Sequence, residues 1–181
     1  MTPDERAAAF RSATRTLRAH GARVPRAVLA AMAEEAGDES ADVYGRGALI
    51  EGFEREVATL LGKPAAVFVP SGTMAQQVAL RIAADARGLR TVAFHPTCHL
   101  EVHEQRGYAH LHGLVARLVG APRQPVLRAD LDALDEPVAA LLLELPQREI
   151  GGVLPPWSEV EAMAAWARER GVALHLDGAR L

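Results

Sequence analysis

Three short stretches of this sequence carry the residue types that do chemistry. Asp177-Gly178-Ala179-Arg180 sets a carboxylate, a glycine and a guanidinium directly after the apolar run from Val172 to Leu176. A carboxylate buried there is costly unless it is paired. Two partners are open to it. One is Arg180, three residues on, in a structural ion pair. The other is a cationic ring nitrogen, whose proton the acid would retain so that the ring draws electrons better.

Pro70-Ser71-Gly72-Thr73-Met74 lies between a short apolar run and a helical pattern. Gly72 allows a ligand close to the backbone, and a helix N-terminus offers unpaired N–H groups and a positive dipole end. With the Ser71 and Thr73 hydroxyls this is a candidate phosphate cradle. Ser71 equally suits an ordinary helix cap. The Gly-x-x-x-x-Gly-Lys pattern of a Walker A loop is absent.

The third stretch runs from His95 to Glu104, with histidines at 95, 99 and 103, Cys98 and Glu104. Its spacing matches neither His-Glu-x-x-His nor paired Cys-x-x-Cys, so no metal is expected. A histidine stacked on a planar ligand or acting as a base fits better. His110 and His112 alternate like the solvent face of a strand and receive no role.

The elements that must position these residues follow from periodicity. Helices are expected over Glu5 to Ala19 and Pro25 to Glu35, broken by Gly21 and Pro25. Phe53, Val57, Leu60 and Leu61 mark one face of a helix ending at Gly62. Ala65 to Val69 reads as a buried strand between prolines. Met74 to Ala86 reads as a helix with Met74, Val78 and Ile82 on its apolar stripe. Thr91 to Phe94, Val138 to Leu145 and Val172 to Leu176 read as strands, the second covered on both faces. Ser158 with Glu161 predicts a capping box for a helix reaching Arg170 and stopped by Gly171. Alternation of this kind predicts an α/β fold with a mainly parallel sheet. Residues 1–40 are expected to form a helical arm and 41–181 the body of a larger domain.

Composition narrows the classes further. The 181 residues are 49% hydrophobic and 24% charged with net charge −3, which gives no reason to expect nucleic acid or an acidic membrane as partner. One cysteine excludes a disulfide framework. No apolar run approaches the ~18 residues of a membrane span, and the N-terminus lacks a signal-peptide pattern, so the cytoplasm is the expected location. Lys63 is the single lysine among twenty basic residues. It precedes the 65–69 strand, whose rise of ~3.3 Å per residue should leave it roughly 15–20 Å from the Ser71-Gly72-Thr73 turn.

Taken in order, these motifs resemble the threonine aldolase and aromatic amino acid β-eliminating lyase family of fold-type I pyridoxal-phosphate enzymes. The resemblance runs from Asp42-Val43-Tyr44-Gly45 through Ser71-Gly72-Thr73-Met74-Ala75, His99 with Glu104, Leu143-Glu144 and Gly151-Gly152-Val153-Leu154-Pro155. It ends on His175-Leu176-Asp177-Gly178-Ala179-Arg180. It implies a three-layer large domain, cut short after the strand carrying Asp177. It also implies pyridoxal 5'-phosphate as cofactor, bound by Ser71, Gly72 and Thr73 at its phosphate. His99 would stack on the ring and act as a base, Asp177 would face the ring nitrogen, and Arg180 would contact the ring oxygen or the substrate carboxylate. His99 and Arg180 are then the catalytic candidates.

The implied reaction is cleavage of a β-hydroxy-α-amino acid to glycine and an aldehyde by a homo-oligomer. A β-eliminating amino-acid lyase and a non-catalytic α/β binding domain are the alternatives. Two departures stand out. Gln76 replaces a frequent asparagine, and Leu145-Pro146-Gln147-Arg148 replaces Asn-Thr-His, which loosens the expectation of strict threonine specificity. The family's Schiff-base lysine belongs a few tens of residues beyond Asp177. The 181-residue chain alone is therefore expected to bind cofactor weakly, to cleave nothing and to be poorly soluble.

Overall fold

The computed structural model describes residues 1–15, 23–38 and 40–181, in two compact units, Met1–Phe68 and Val69–Leu181. In the first unit, α1 (Pro3–Ser12) begins with a reciprocal capping box between Thr2 and Glu5. It stops at Ser12, short of the expected Ala19; residues 16–19 lie outside the described set. Helix α2 spans Pro25–Glu35, as its pattern predicts, with Pro25 in the first turn where its missing N–H is harmless. Helix α3 spans Ala48–Leu60, and Gly62 follows at φ 59°, a left-handed conformation that suits glycine.

Residues 65–69 do not form the expected strand. Strands exist through pairing, and no described segment pairs with this one. Instead the Phe68 N–H donates to the Glu54 carboxylate at 2.7 Å, and the Phe68 ring meets Phe53 edge-on at 6.1 Å. Lys63 therefore precedes an irregular segment and not the expected strand.

The second unit holds a four-stranded parallel sheet. Its strands are β1 (Thr91–Phe94), β2 (Val115–Leu118), β3 (Ala140–Glu144) and β4 (Ala173–Asp177), in the order β2-β1-β3-β4. Helix α4 (Gly72–Arg87) leads into β1. Two short helices, α5 (His99–Val102) and α6 (Gly107–His112), join β1 to β2. Helix α7 (Trp157–Glu169) joins β3 to β4. The sheet is built outward from β1 in both directions, so the chain order reverses between β1 and β3. In open α/β sheets that reversal opens a crevice beyond the strands' carboxyl ends.

Side chains alternate across the sheet. Ala93, Leu141 and Leu143 pack with Met163, Trp166 and Ala167 of α7. Val92, Phe94, Ala140 and Leu142 pack with Leu80 and Ala84 of α4 and with Tyr108 of α6. Phe94 and Tyr108 meet edge-to-face at 5.3 Å. Every residue of β3 is buried, as its continuous aliphatic run predicts.

Three local expectations are corrected. The buried residues of α4 are Gln76, Gln77, Leu80 and Ala84, while Met74, Val78 and Ile82 face outward. Helical periodicity finds an apolar stripe but does not say which stripe meets the sheet. Pro156 occupies the N-cap position of α7, so Ser158 falls inside the first turn and makes no cap hydrogen bond. His110 and His112 lie on α6, not on a strand; Gly113 at φ 62° closes that helix just before β2.

Cys98 sits in the α4-side core, fully buried. Burial, with smaller contributions from the Glu144 and Asp177 carboxylates, pushes its thiol up to about 12. The thiolate is the reactive form, so iodoacetamide at pH 8 should label the native protein about a thousandfold more slowly than the protein in urea. Comparable rates would contradict this packing. Leu142→Ala should lower the free energy of unfolding by about 2–5 kcal/mol in urea titrations. Val78→Ala, on the outward stripe, should change it by less than about 0.5 kcal/mol.

Candidate active site

The start of α4, the segment that follows β1, and the end of β4 with the loop after it line an open cleft of about 420 Å³, a volume within the usual range for small-molecule sites. Gly72, Thr73, Gln76, His99, Glu104, Asp177 and Arg180 line it. Residues up to 108 apart in sequence thus share one surface, because each follows or ends an element whose carboxyl or amino end points the same way.

Asp177 closes β4 and is 8% exposed. Its Oδ2 accepts from the Gln76 side-chain amide at 2.9 Å, and its Oδ1 accepts from the Ala179 N–H at 3.0 Å. Both donors are neutral. Arg180, its nearest candidate partner by sequence, goes elsewhere: its Nη1 pairs with Glu144 Oε1 at 3.5 Å. The structural Asp177–Arg180 pair is therefore not formed. Gln76 Oε1 and His175 Nε2 are buried beside the cleft without hydrogen-bond partners among the described residues. Burial, which outweighs the nearby Asp177, holds His175 below the usual imidazole range.

His99 opens α5, with 27% of its side chain exposed. Its Nδ1 lies 3.0 Å from Glu104 Oε1. An ionised carboxylate only accepts, so Nδ1 carries a proton toward Glu104, and in the neutral ring Nε2 then holds the lone pair. Glu104 is itself held by the Gln77 amide at 3.3 Å. A Cβ at Gly107 would come within 2.8 Å of that amide nitrogen, so glycine keeps room for the Gln77–Glu104 contact.

Ser71 does not line the cleft. Its hydroxyl caps α4 by accepting from the Met74 N–H at 3.2 Å, and its carbonyl accepts from Ala75 N–H. Among the described residues the N–H groups of Gly72 and Thr73 have no protein partner. A Cβ built on Gly72 would meet nothing within 4 Å, so this chain leaves the space before the helix end open.

The remaining histidines divide. His95 is a satisfied core residue: its Nε2 lies 2.9 Å from the carbonyls of Ala121 and Gln124, and its Nδ1 accepts from Thr97 N–H. His103 stands beside the site, its ring 5.0 Å from that of His99, and its Nε2 is 2.8 Å from Glu149 Oε1. Hydrogen bonding to His103, above all, holds the Glu149 carboxyl below the usual range, with smaller help from Arg148 and Arg180. Among the described residues no group of three or more His, Cys, Asp or Glu side chains is placed to hold a metal.

Two participants carry no signal in sequence spacing. Glu144 lies 33 residues before Asp177, yet β3 and β4 pair these two residues in register. Gln76 reaches Asp177 across 101 residues. Strand pairing sets Glu144 beside Asp177, and the packing of α4 on the sheet brings Gln76 to it.

The donor set fits pyridoxal phosphate. A buried carboxylate served only by neutral donors favours a cation, which a protonated pyridine nitrogen supplies. Free N–H groups at the start of the sixteen-residue α4 favour a phosphate.

The beta-eliminating lyase model matches residues 20–181. A structure of a candidate aromatic amino acid beta-eliminating lyase/threonine aldolase from Exiguobacterium sp. 255-15 superimposes with a TM-score of 0.88 and 51% identity, over 96% of this chain and 49% of that one. A candidate L-allo-threonine aldolase from Listeria monocytogenes EGD-E gives 0.88 and 45%, over 96% and 48%. The low specificity L-threonine aldolase of Escherichia coli K12 is 35% identical over 88% of this chain and 48% of its own length. The chain thus spans about half the length of these relatives. With the model matched over most of its residues and a fold shared at this level of identity, the chain belongs to the beta-eliminating lyase family.

Proposed function

We propose that the complete protein is a pyridoxal-phosphate-dependent carbon–carbon lyase of the threonine aldolase type. Its reaction would cleave a β-hydroxy-α-amino acid to glycine and an aldehyde. The observation that carries this reading is one cleft with two differently prepared groups. Asp177 is a buried carboxylate lacking a cation, and His99 is an imidazole whose free nitrogen is fixed by Glu104. Membership of the family supports it.

Pyridoxal phosphate, when bound, supplies a ring that takes up the electron pair released at the substrate's Cα. The rest falls to the chain. Gly72 and Thr73 N–H groups hold the phosphate at the positive end of α4. Asp177 keeps a proton at the ring nitrogen, and Gln76 fixes its carboxylate in place. Arg180 holds an anionic oxygen of substrate or cofactor at the rim. His99 Nε2 takes the proton from the β-hydroxyl, so that bond breaking leaves a neutral aldehyde. Glu104 fixes the ring's orientation and stabilises the positive charge gained in that step.

The test is product analysis on the complete protein loaded with pyridoxal phosphate. Threonine or allo-threonine should yield glycine and acetaldehyde. His99→Asn should lower kcat/KM by about 10²–10⁴-fold while the cofactor's absorbance stays. Asp177→Ala should weaken cofactor binding itself. Pyruvate and ammonia as products would instead assign β-elimination. Absence of any bound-cofactor absorbance would remove the whole reading.

A further inference from the structure

Asp177 and Arg180 are neighbours in sequence and opposite in charge, yet the structure keeps them apart. The reason lies on the adjacent strand. Glu144 and Asp177 are register partners at the ends of β3 and β4, and paired residues of parallel strands point to the same face. The α4 side of the sheet therefore ends in two nearly buried carboxylates side by side. Among the described residues only one guanidinium, that of Arg180, pairs with either. Whichever acid takes it leaves the other without a countercharge.

Glu144 has the stronger hold. Its side chain is 2% exposed and gathers donors from several segments. His99 N–H donates to Oε2 at 2.9 Å, Arg148 N–H to Oε1 at 3.3 Å, and the Gln147 amide approaches Oε2 at 3.5 Å. These contacts hold the carboxylate independently of Arg180, with Oε1 facing its Nη1. Arg180 remains 38% exposed and still lines the cleft, with the rest of its fork uncommitted to protein. The other charged or titratable groups near this corner are His99 and Glu104, paired with each other, and Arg148 and Glu149, the latter already engaged by His103.

We propose that Glu144 is a positioning residue that sequesters Arg180, so that Asp177 is kept free for a ligand's cation and the guanidinium is presented to a ligand's anion. The pairing stands on the geometry alone. Its consequence for pyridoxal phosphate rests on the function proposed above.

Glu144→Gln in the full chain separates the two parts. It removes the charge and keeps the shape and most hydrogen-bonding positions. In the cofactor-free crystal structure of E144Q, the Arg180 guanidinium should turn to Asp177, within about 4 Å of its carboxylate. Arg180 staying beside the substituted side chain at the end of β3, or swinging into solvent, would overturn the proposal. Pyridoxal phosphate binding, read by quenching of tryptophan fluorescence, should weaken about tenfold in E144Q. In an Arg180→Met background E144Q should cost little further affinity, which a merely structural role for Glu144 would not allow. Unchanged cofactor affinity in E144Q, or a double variant that binds far more weakly than Arg180→Met alone, overturns the ligand half. If the unmodified protein binds no pyridoxal phosphate while Arg180 turns as expected, the functional reading fails and the positioning role survives. Should E144Q not fold, Glu144→Asp keeps the charge and withdraws it by one methylene. Arg180 should then lengthen its contact or move toward Asp177, and an unmoved Arg180 counts against the proposal.

Discussion

The site depends on the register between β3 and β4. Residues 140, 142 and 144 face α4, and so do their partners 173, 175 and 177. A slip of one residue would turn Asp177 to the α7 face, away from Gln76, and part it from Glu144. The register is fixed by apolar packing far from any chemistry. Leu141 and Leu143 seat against α7 while Ala140 and Leu142 seat against the α4 side, and neither set can exchange faces without exposing the core. The polar ends of the strands are carried along by this apolar fit. Two carboxylates stand side by side because the residues before them pack, and their desolvation is offset by the donors gathered around each.

The reversal of strand order between β1 and β3 gives the cleft its place. The chain leaves β1 toward β2 on one side, and β3 continues toward β4 on the other. The segments leaving the two strands therefore diverge, and His99 after β1 meets Glu144 at the end of β3 across the gap. Helix α4 aims its N-terminus at the same end of the sheet. Outside the cleft the surface differs in kind. Met74, Val78 and Ile82 on α4 and Leu174 on β4 are exposed, and β4 has no described strand on its outer edge. Apolar surface of this sort gains free energy by meeting more protein.

What the sequence revealed and what it hid follow one division. Features decided within a dozen residues were legible: the aliphatic run of β3, the bounds of α2, the Ser71 turn into α4, the acid at the end of β4. Features decided by a distant partner were not. The 65–69 run has strand composition, but pairing is a property of two segments and its second segment is not among those described. The stripe of Met74, Val78 and Ile82 is real, yet only the sheet's position says that Gln76 and Leu80 face inward instead. Arg180 was local in appearance and long-range in fact, because a pre-organised acid 36 residues away outcompetes one three residues away.

The charges around the cleft constrain what can bind there. Asp177, Glu144 and Glu104 contribute three carboxylates, all nearly buried, against one guanidinium and the imidazole of His99. Arg180 is committed to Glu144 and His99 to Glu104, which leaves the deficit of positive charge at Asp177. At the other wall, the free N–H groups and the dipole of α4 concentrate positive potential, equivalent to roughly half a charge. A purely anionic ligand would suit α4 and be repelled by Asp177, and a purely cationic one would do the reverse. The ligand that satisfies both walls is dipolar, anionic at one end and able to hold a proton at the other. That polarity is set by backbone register and helix direction, so it persists whichever substrate side chain the rim accepts.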